Sequence, residues 1–184
     1  MTERRPDSAE NIANQYDDDV MQESNPDLVI PWDVASERLA ESQTYWWATT
    51  RPDGQAQIRP VLAVLIDGVL YSTTNRKARK ARNLQANPQV AFSTSTDEID
   101  FVVEGRAAPV SDLPTLERIA KAYRAKYGWP VTLRDGAFHA PFGAPTAGPP
   151  PYQPYSLVPD LILGLGTTER YAMHSTRWRF RLSG

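Results

Sequence analysis

Five positive charges fall within seven consecutive positions of this chain: Arg76, Lys77, Arg79, Lys80 and Arg82, in the stretch NRKARKARNL. Such a run can grip a nucleic-acid backbone, act as a localisation signal, clamp the phosphate of a small molecule or simply face solvent. It follows the β-prone segment YSTTN and therefore stands at a strand-to-helix junction. First-turn N–H groups there have no intrahelical partner, and the positive end of the helix dipole favours an anion. At helical spacing Arg76, Arg79, Lys80 and Asn83 share an arc of about 100°. Ala81 and Leu84 form the adjoining apolar edge, and Arg82 points elsewhere. Thr73 and Thr74, at the strand end, offer hydroxyl donors to the same anion. The local reading is a phosphate clamp, and these residues alone do not name the phosphate's owner.

Other residues with chemical potential favour quieter readings. The only histidines, His139 and His174, are 35 positions apart, and there is no cysteine. That pattern predicts no metal site, and it excludes a disulfide scaffold and a thiol nucleophile. Trp46 and Trp47 open a strand and could stack on a flat ring, but large aromatics in a first strand are more often core. Glu104 in VVEG reads as a strand residue, and no catalytic side chain stands out. The net charge of −2 argues against general nucleic-acid binding, which draws on a broadly basic surface. No apolar run has the length of a membrane span and the N-terminus is polar, so a cytoplasmic protein without membrane contact is expected.

The elements that must position the clamp can be read from periodicity and turn chemistry. Residues 1–26 are acidic and lack apolar periodicity, which predicts a mobile or loosely docked arm; residues 1–43 hold eleven Asp and Glu against three Arg. Residues 27–184 are expected to form one domain. PWDVASERLAESQ places Trp32, Ala35, Leu39 and Ala40 on one helical stripe. Strands are predicted at Tyr45–Thr50, Ala56–Leu65 and Val69–Thr74, punctuated by Asp-Gly pairs that suit primed turns. Two more follow in QVAFSTS and DFVVEGRAAPV. Five such strands suggest a barrel or sandwich. SDLPTLERIAKAYRAKYG predicts a helix with Leu113, Leu116, Ile119, Ala120, Tyr123 and Tyr127 on one stripe, capped by Ser111 or Asp112 and stopped at Gly128. Residues 134–156 hold six of the 16 prolines and three glycines without a period, so an ordered covering loop is expected there. LVPDLILGLG and STRWRF read as closing β segments.

In that order, the Asp-Gly turn, IRPVLAVLIDGVLYSTTNRKARKARNLQANPQVAFSTS, VVEGRAAPV and the closing STRWRF resemble the split-barrel flavin and deazaflavin binders typified by pyridoxamine 5'-phosphate oxidase. The ending is similar to that of the actinobacterial F420-dependent branch, and the resemblance spans about residues 30–182. It implies a mainly β fold, an antiparallel split β-barrel of the FMN-binding type with flanking helices, and a homodimer with its cofactor at the interface. It implies cofactor contacts at Arg59, Pro60 and Val61, at Thr73 and Thr74, and at Arg79 and Lys80 within a pattern like Arg-Lys-Ala-x-x-Leu. Trp178 and Arg179 would complete the partner's site. The implied activity is hydride transfer between F420, or alternatively FMN, and a small organic substrate. An FMN-dependent pyridoxamine 5'-phosphate oxidase-like enzyme and a non-catalytic cofactor carrier, sensor or haem binder remain as alternatives. In such proteins the ring chemistry belongs to the cofactor, so no catalytic triad is needed.

Overall fold

The computed structural model describes residues 3–13, 24–143 and 148–181. Eleven antiparallel strands and three α-helices appear in the order β1 (Ser8–Asn11), α1 (Trp32–Glu41), β2 (Tyr45–Thr50), β3 (Ala56–Val61), β4 (Ala63–Ile66), β5 (Val69–Asn75), α2 (Arg79–Ala86), β6 (Gln89–Ser95), β7 (Ile99–Pro109), α3 (Leu113–Tyr127), β8 (Thr132–Arg134), β9 (Ala137–His139), β10 (Tyr152–Gly166) and β11 (Thr176–Arg179). The main path runs β1-β11-β10-β7-β6-β2-β3, with β4, β5, β8 and β9 branching from β10. The fifteen-residue β10 is the spine. One of its edges pairs with β7 along most of its length, with a bulge between Pro159 and Leu161. The other edge pairs first with β5, over Tyr152–Leu157, and then with β11, over Leu161–Gly164. That change of partner splits the sheet into two curved halves, the mainly β, antiparallel split-barrel architecture expected from the sequence.

One of the two predicted Asp-Gly turns forms as expected, while at Asp53-Gly54 only the glycine takes positive φ, 82°. Asp67 and Gly68 both adopt positive φ, 51° and 75°, between β4 and β5, the conformation of a primed hairpin turn. Asp112 caps α3 by accepting from the Thr115 N–H at 3.0 Å, and Gly128 ends it in the left-handed region. Within that helix Leu116, Ile119 and Tyr123 are buried, whereas Leu113 is exposed. In α1, Trp32, Ala35 and Leu39 are buried.

Two apolar cores result. Trp32, Leu39, Tyr45, Trp47, Phe92, Phe101, Ile162, Trp178 and Phe180 fill the barrel beneath α1. Leu116, Ile119, Tyr123, Trp129, Phe138, Tyr152, Val64 and Tyr71 form a second cluster between α3 and the β4–β5 hairpin. Each fully buried Leu or Ile contributes about 1.5–3 kcal/mol relative to exposure.

Three expectations are corrected. The strand predicted at Ala56–Leu65 breaks at Leu62, and α3 satisfies the freed backbone groups: Tyr123 donates to Leu62 O at 2.9 Å and Tyr127 to Ala63 O at 2.7 Å. The loop expected over 134–156 contains β9 and the start of β10, with Asp135-Gly136 turning β8 into β9. Residues 144–147 of that loop lie outside the described residues. The arm expected over 1–26 is docked where described: β1 pairs with β11 over Ser8–Asn11, and the Arg4 N–H donates to Asp67 O at 2.9 Å. Its acidic run Asp17–Asp19 lies outside the described residues. No described helix is long and apolar enough to cross a membrane.

Candidate functional site

The basic run divides when the chain folds. Residues 76–78 form a turn built by Asn75, whose Oδ1 accepts from the Lys77 N–H at 2.8 Å while its Nδ2 donates to Pro149 O at 2.9 Å. The helix starts only at Arg79, so Arg76 is not on the helical arc assumed from spacing. It lies over β10 instead. Its Nε and Nη2 both donate to Gln153 Oε1, at 3.1 and 2.8 Å, and Gln153 is held in turn by donating to Val110 O and Pro154 O.

The inner face of α2 is anchored by Asn83, a buried amide that donates to Thr49 Oγ1 on β2 at 3.0 Å and to Gln57 Oε1 on β3 at 2.9 Å. Ala81 and Leu84 are buried beside it. This anchor carries Lys80 inward, to 9% exposure, with its ammonium 4.4 Å from the centroid of the Trp47 ring. Trp47 faces the interior because Tyr45, Trp47 and Thr49 alternate inward along β2, and it packs on Phe92 and Tyr155. It is therefore core, 1% exposed, with the lysine above it.

Arg59 stands directly opposite Trp47 across the β2–β3 ladder, hence on the same face as Lys80. Burial, reinforced by the positive charge of Arg59, pushes the Lys80 ammonium down to about 7. Among the described residues, no carboxylate forms an ion pair with Arg59, Arg76, Arg79 or Lys80; the ion pairs involve other cations. A nearly buried ammonium with a second cation beside it and no counter-ion is unfavourable by itself, and it is set up to receive an anion. Arg79 is exposed at the first helical position next to it, where no side chain caps the helix.

The remaining expected contacts separate. Val61 lies opposite Tyr45 on the face of Arg59, and Pro60 lies opposite Trp46 on the other face. Thr73 and Thr74 alternate along β5, so they project from opposite faces and cannot both donate to one anion. Thr74 pairs with Gln153, beside Arg76, whereas Thr73 shares its face with Tyr71 and α3. Trp178, expected at a partner's site, is enclosed within its own chain. It is 0% exposed, meets Trp32 edge-on at 5.9 Å and packs over Gly164, so it belongs to the barrel core. The sequence reading missed Gln57, Thr49 and Gln153, the polar residues that orient Asn83 and Arg76. No spacing rule signals them, because each acts across the sheet from a distant segment.

The site is thus a cluster of cations at the start of α2: Lys80 over Trp47, Arg59 across the β2–β3 ladder and Arg79 at the first helical position, with Arg76 and Thr74 on the β5–β10 side. The family described as pyridoxamine 5'-phosphate oxidase matches residues 32–150, which contain this whole site except Gln153. Among solved structures, a conserved hypothetical protein from Mycobacterium tuberculosis aligns with a TM-score of 0.58 at 21% identity, over 77% of this chain and 88% of that one. A structure named F420 Reductase aligns with a TM-score of 0.51 at 25% identity, over 69% of this chain and 94% of that one. A pyridoxamine 5'-phosphate oxidase-related, FMN binding protein from Nostoc punctiforme aligns with a TM-score of 0.51 at 19% identity, over 84% and 93%. The Mycobacterium and Nostoc likenesses are of fold. No curated protein matches the chain significantly. The chain belongs to the pyridoxamine 5'-phosphate oxidase family.

Proposed function

We propose that this member of the pyridoxamine 5'-phosphate oxidase family is an oxidoreductase that binds the deazaflavin F420 by its phosphate and passes hydride between the deazaflavin and a small organic substrate. The observation that carries the reading is Lys80: an ammonium held at 9% exposure over Trp47, beside Arg59, with no carboxylate partner among the described residues. A phosphate there supplies the missing counter-charge and accepts charge-assisted hydrogen bonds from Lys80, Arg59 and Arg79. The uncapped first turn of α2 adds backbone donors. When bound, the deazaflavin ring supplies the hydride chemistry. The chain's own residues bind and orient: Asn83 holds α2 on β2 and β3, and Gln153 holds Arg76 on the β5–β10 side.

F420 is preferred to FMN on the closing STRWRF and on the 25% identity to the structure named F420 Reductase. FMN is the second reading, since both cofactors carry a phosphate for the same cations. We further propose a homodimer that seats the cofactor at its interface. The outer face of β2 and β3 supports this, with Trp46 49% and Ile58 51% exposed. Exposed aromatic and aliphatic side chains on adjacent strands mark an interaction surface.

The test is direct titration of the purified protein with F420 and with FMN, followed by absorbance and fluorescence. Saturable binding of F420, lost in Lys80→Ala combined with Arg79→Ala, is expected. Binding of FMN alone would transfer the proposal to the second reading, and binding of neither would overturn it. Single-turnover oxidation of reduced F420 by a panel of enones and quinones then separates an enzyme from a carrier.

A further inference from the structure

A second lysine without an ion-pair partner among the described residues sits two positions along β2 from the first, against Tyr45 rather than Trp47. Of the chain's four lysines, Lys126 alone lines a cleft of about 570 Å³ between α1, β4 and α3, together with Ala40, Glu41, Gln43, Val64, Leu65, Ala122 and Ala125. Its ammonium donates to Tyr45 Oη at 3.1 Å and to Ala63 O at 3.2 Å, and lies 4.8 Å and 5.1 Å from the ring centroids of Tyr45 and Tyr127. The Tyr45 hydroxyl is oriented to accept, because it donates its own proton to Leu39 O. Two of the three ammonium donors are thereby used within the protein. Among the described residues the third has no acceptor and no carboxylate pairs with Lys126. Burial pushes the group down to about 8, which leaves it mainly charged at neutral pH.

We infer that this cleft is a binding site for a small amphiphilic monocarboxylate, whose carboxylate accepts the remaining Lys126 donor and whose apolar body lies along Val64, Leu65 and the alanines of α1 and α3. The single cation selects one negative charge, and Glu41 in the same cleft opposes a dianion. Ala40, Ala122 and Ala125 add little bulk to the lining, and a cleft of about 570 Å³ has room for an alkyl chain or a flat ring. The residues that line this cleft do not include Lys80, Arg59 or Arg79, so its test does not depend on any reading of the cofactor.

The test uses the isotopically labelled full-length protein and two probes, octanoate and 1-octanol, followed by amide chemical shifts. Octanoate is expected to shift Val64, Leu65, Ala122 and Ala125 saturably, and octanol to bind about tenfold more weakly, the loss of one charge-assisted contact. Lys126→Gln should weaken octanoate to the level of octanol. Because Lys126 also supports Ala63 and Tyr45, Ala125→Trp provides an independent variant: it fills the cleft from an exposed helix position and should abolish the shifts. Shifts absent from these four amides at millimolar octanoate, equal binding of octanol, or unchanged binding in Ala125→Trp would each overturn the proposal.

Discussion

At the scale of single residues, Lys80 has an energetic signature that can be measured. Burial and Arg59 lower its proton affinity from the ordinary 10.5 to about 7, so the folded protein disfavours the charge that the unfolded chain keeps. Below pH 7 both states carry the proton and the folded state bears the full penalty. The penalty is relieved as pH rises from 7 towards 10.5, where only the unfolded chain is protonated. Lys80→Met is therefore expected to raise the ligand-free melting temperature at pH 6, with a gain that shrinks by pH 9, by thermal shift or calorimetry. An anion reverses the preference. Binding of a phosphate ester should take up a proton at pH 8, and its affinity should fall by up to about tenfold per pH unit above 7. Calorimetry in buffers of different ionisation enthalpy reads that proton directly, and Lys80→Arg should remove it. The basic run and the placement of Arg79 and Lys80 in the first turn of α2 were legible from charge and spacing. The role of Trp47 as the lysine's floor was not, because it requires knowing which way a distant strand faces.

At the scale of elements, the break between β3 and β4 depends on α3. Tyr127 Oη donates to Ala63 O and accepts from the Ala63 N–H at 3.2 Å, serving both backbone groups next to the break. Tyr127→Phe removes both contacts and should cost about 1–3 kcal/mol in urea unfolding. Gly105 on β7 lies opposite Pro159 against the β10 backbone: a Cβ there would lie 2.1 Å from Val158 O, a backbone atom that cannot swing aside. Gly105→Ala should cost about 3 kcal/mol or more and shift the β7–β10 register beside the bulge, visible as lost amide protection around Val158. Turn chemistry made most strands legible. The Asp135-Gly136 hairpin carried the same signal as Asp67-Gly68, and the proline content of the segment obscured it. The break at Leu62 had no signal, since RPVLAVLI continues as β-prone sequence on both sides and only the tyrosines of α3 stabilise the bend.

At the scale of the whole molecule, the exposed Trp46 and Ile58 face and the docked N-terminal strand make two separate predictions. If the outer β2–β3 face joins two copies, Ile58→Asp should convert the protein to a monomer in sedimentation and weaken F420 binding in parallel, while leaving the core and the circular dichroism spectrum intact. Deleting residues 1–11 exposes the edge of β11 and removes the Arg4 contacts to Asp67, Pro159 and Arg181. It should lower the melting temperature and increase aggregation, since an uncovered strand edge is a template for pairing. The sequence by itself determined α1, α3 and most of the barrel strands, the Asp67-Gly68 turn, the α3 caps and the clustering of cations where α2 begins, because these depend on neighbours within a few residues of chain. Only the tertiary structure decided that Trp178 is core, that Thr73 and Thr74 diverge, that Ser8–Asn11 is a strand, and that Lys80 and Lys126 have no carboxylate partner among the described residues. Burial, strand facing and charge compensation are set by segments many tens of residues apart, and no local pattern encodes which of them will meet.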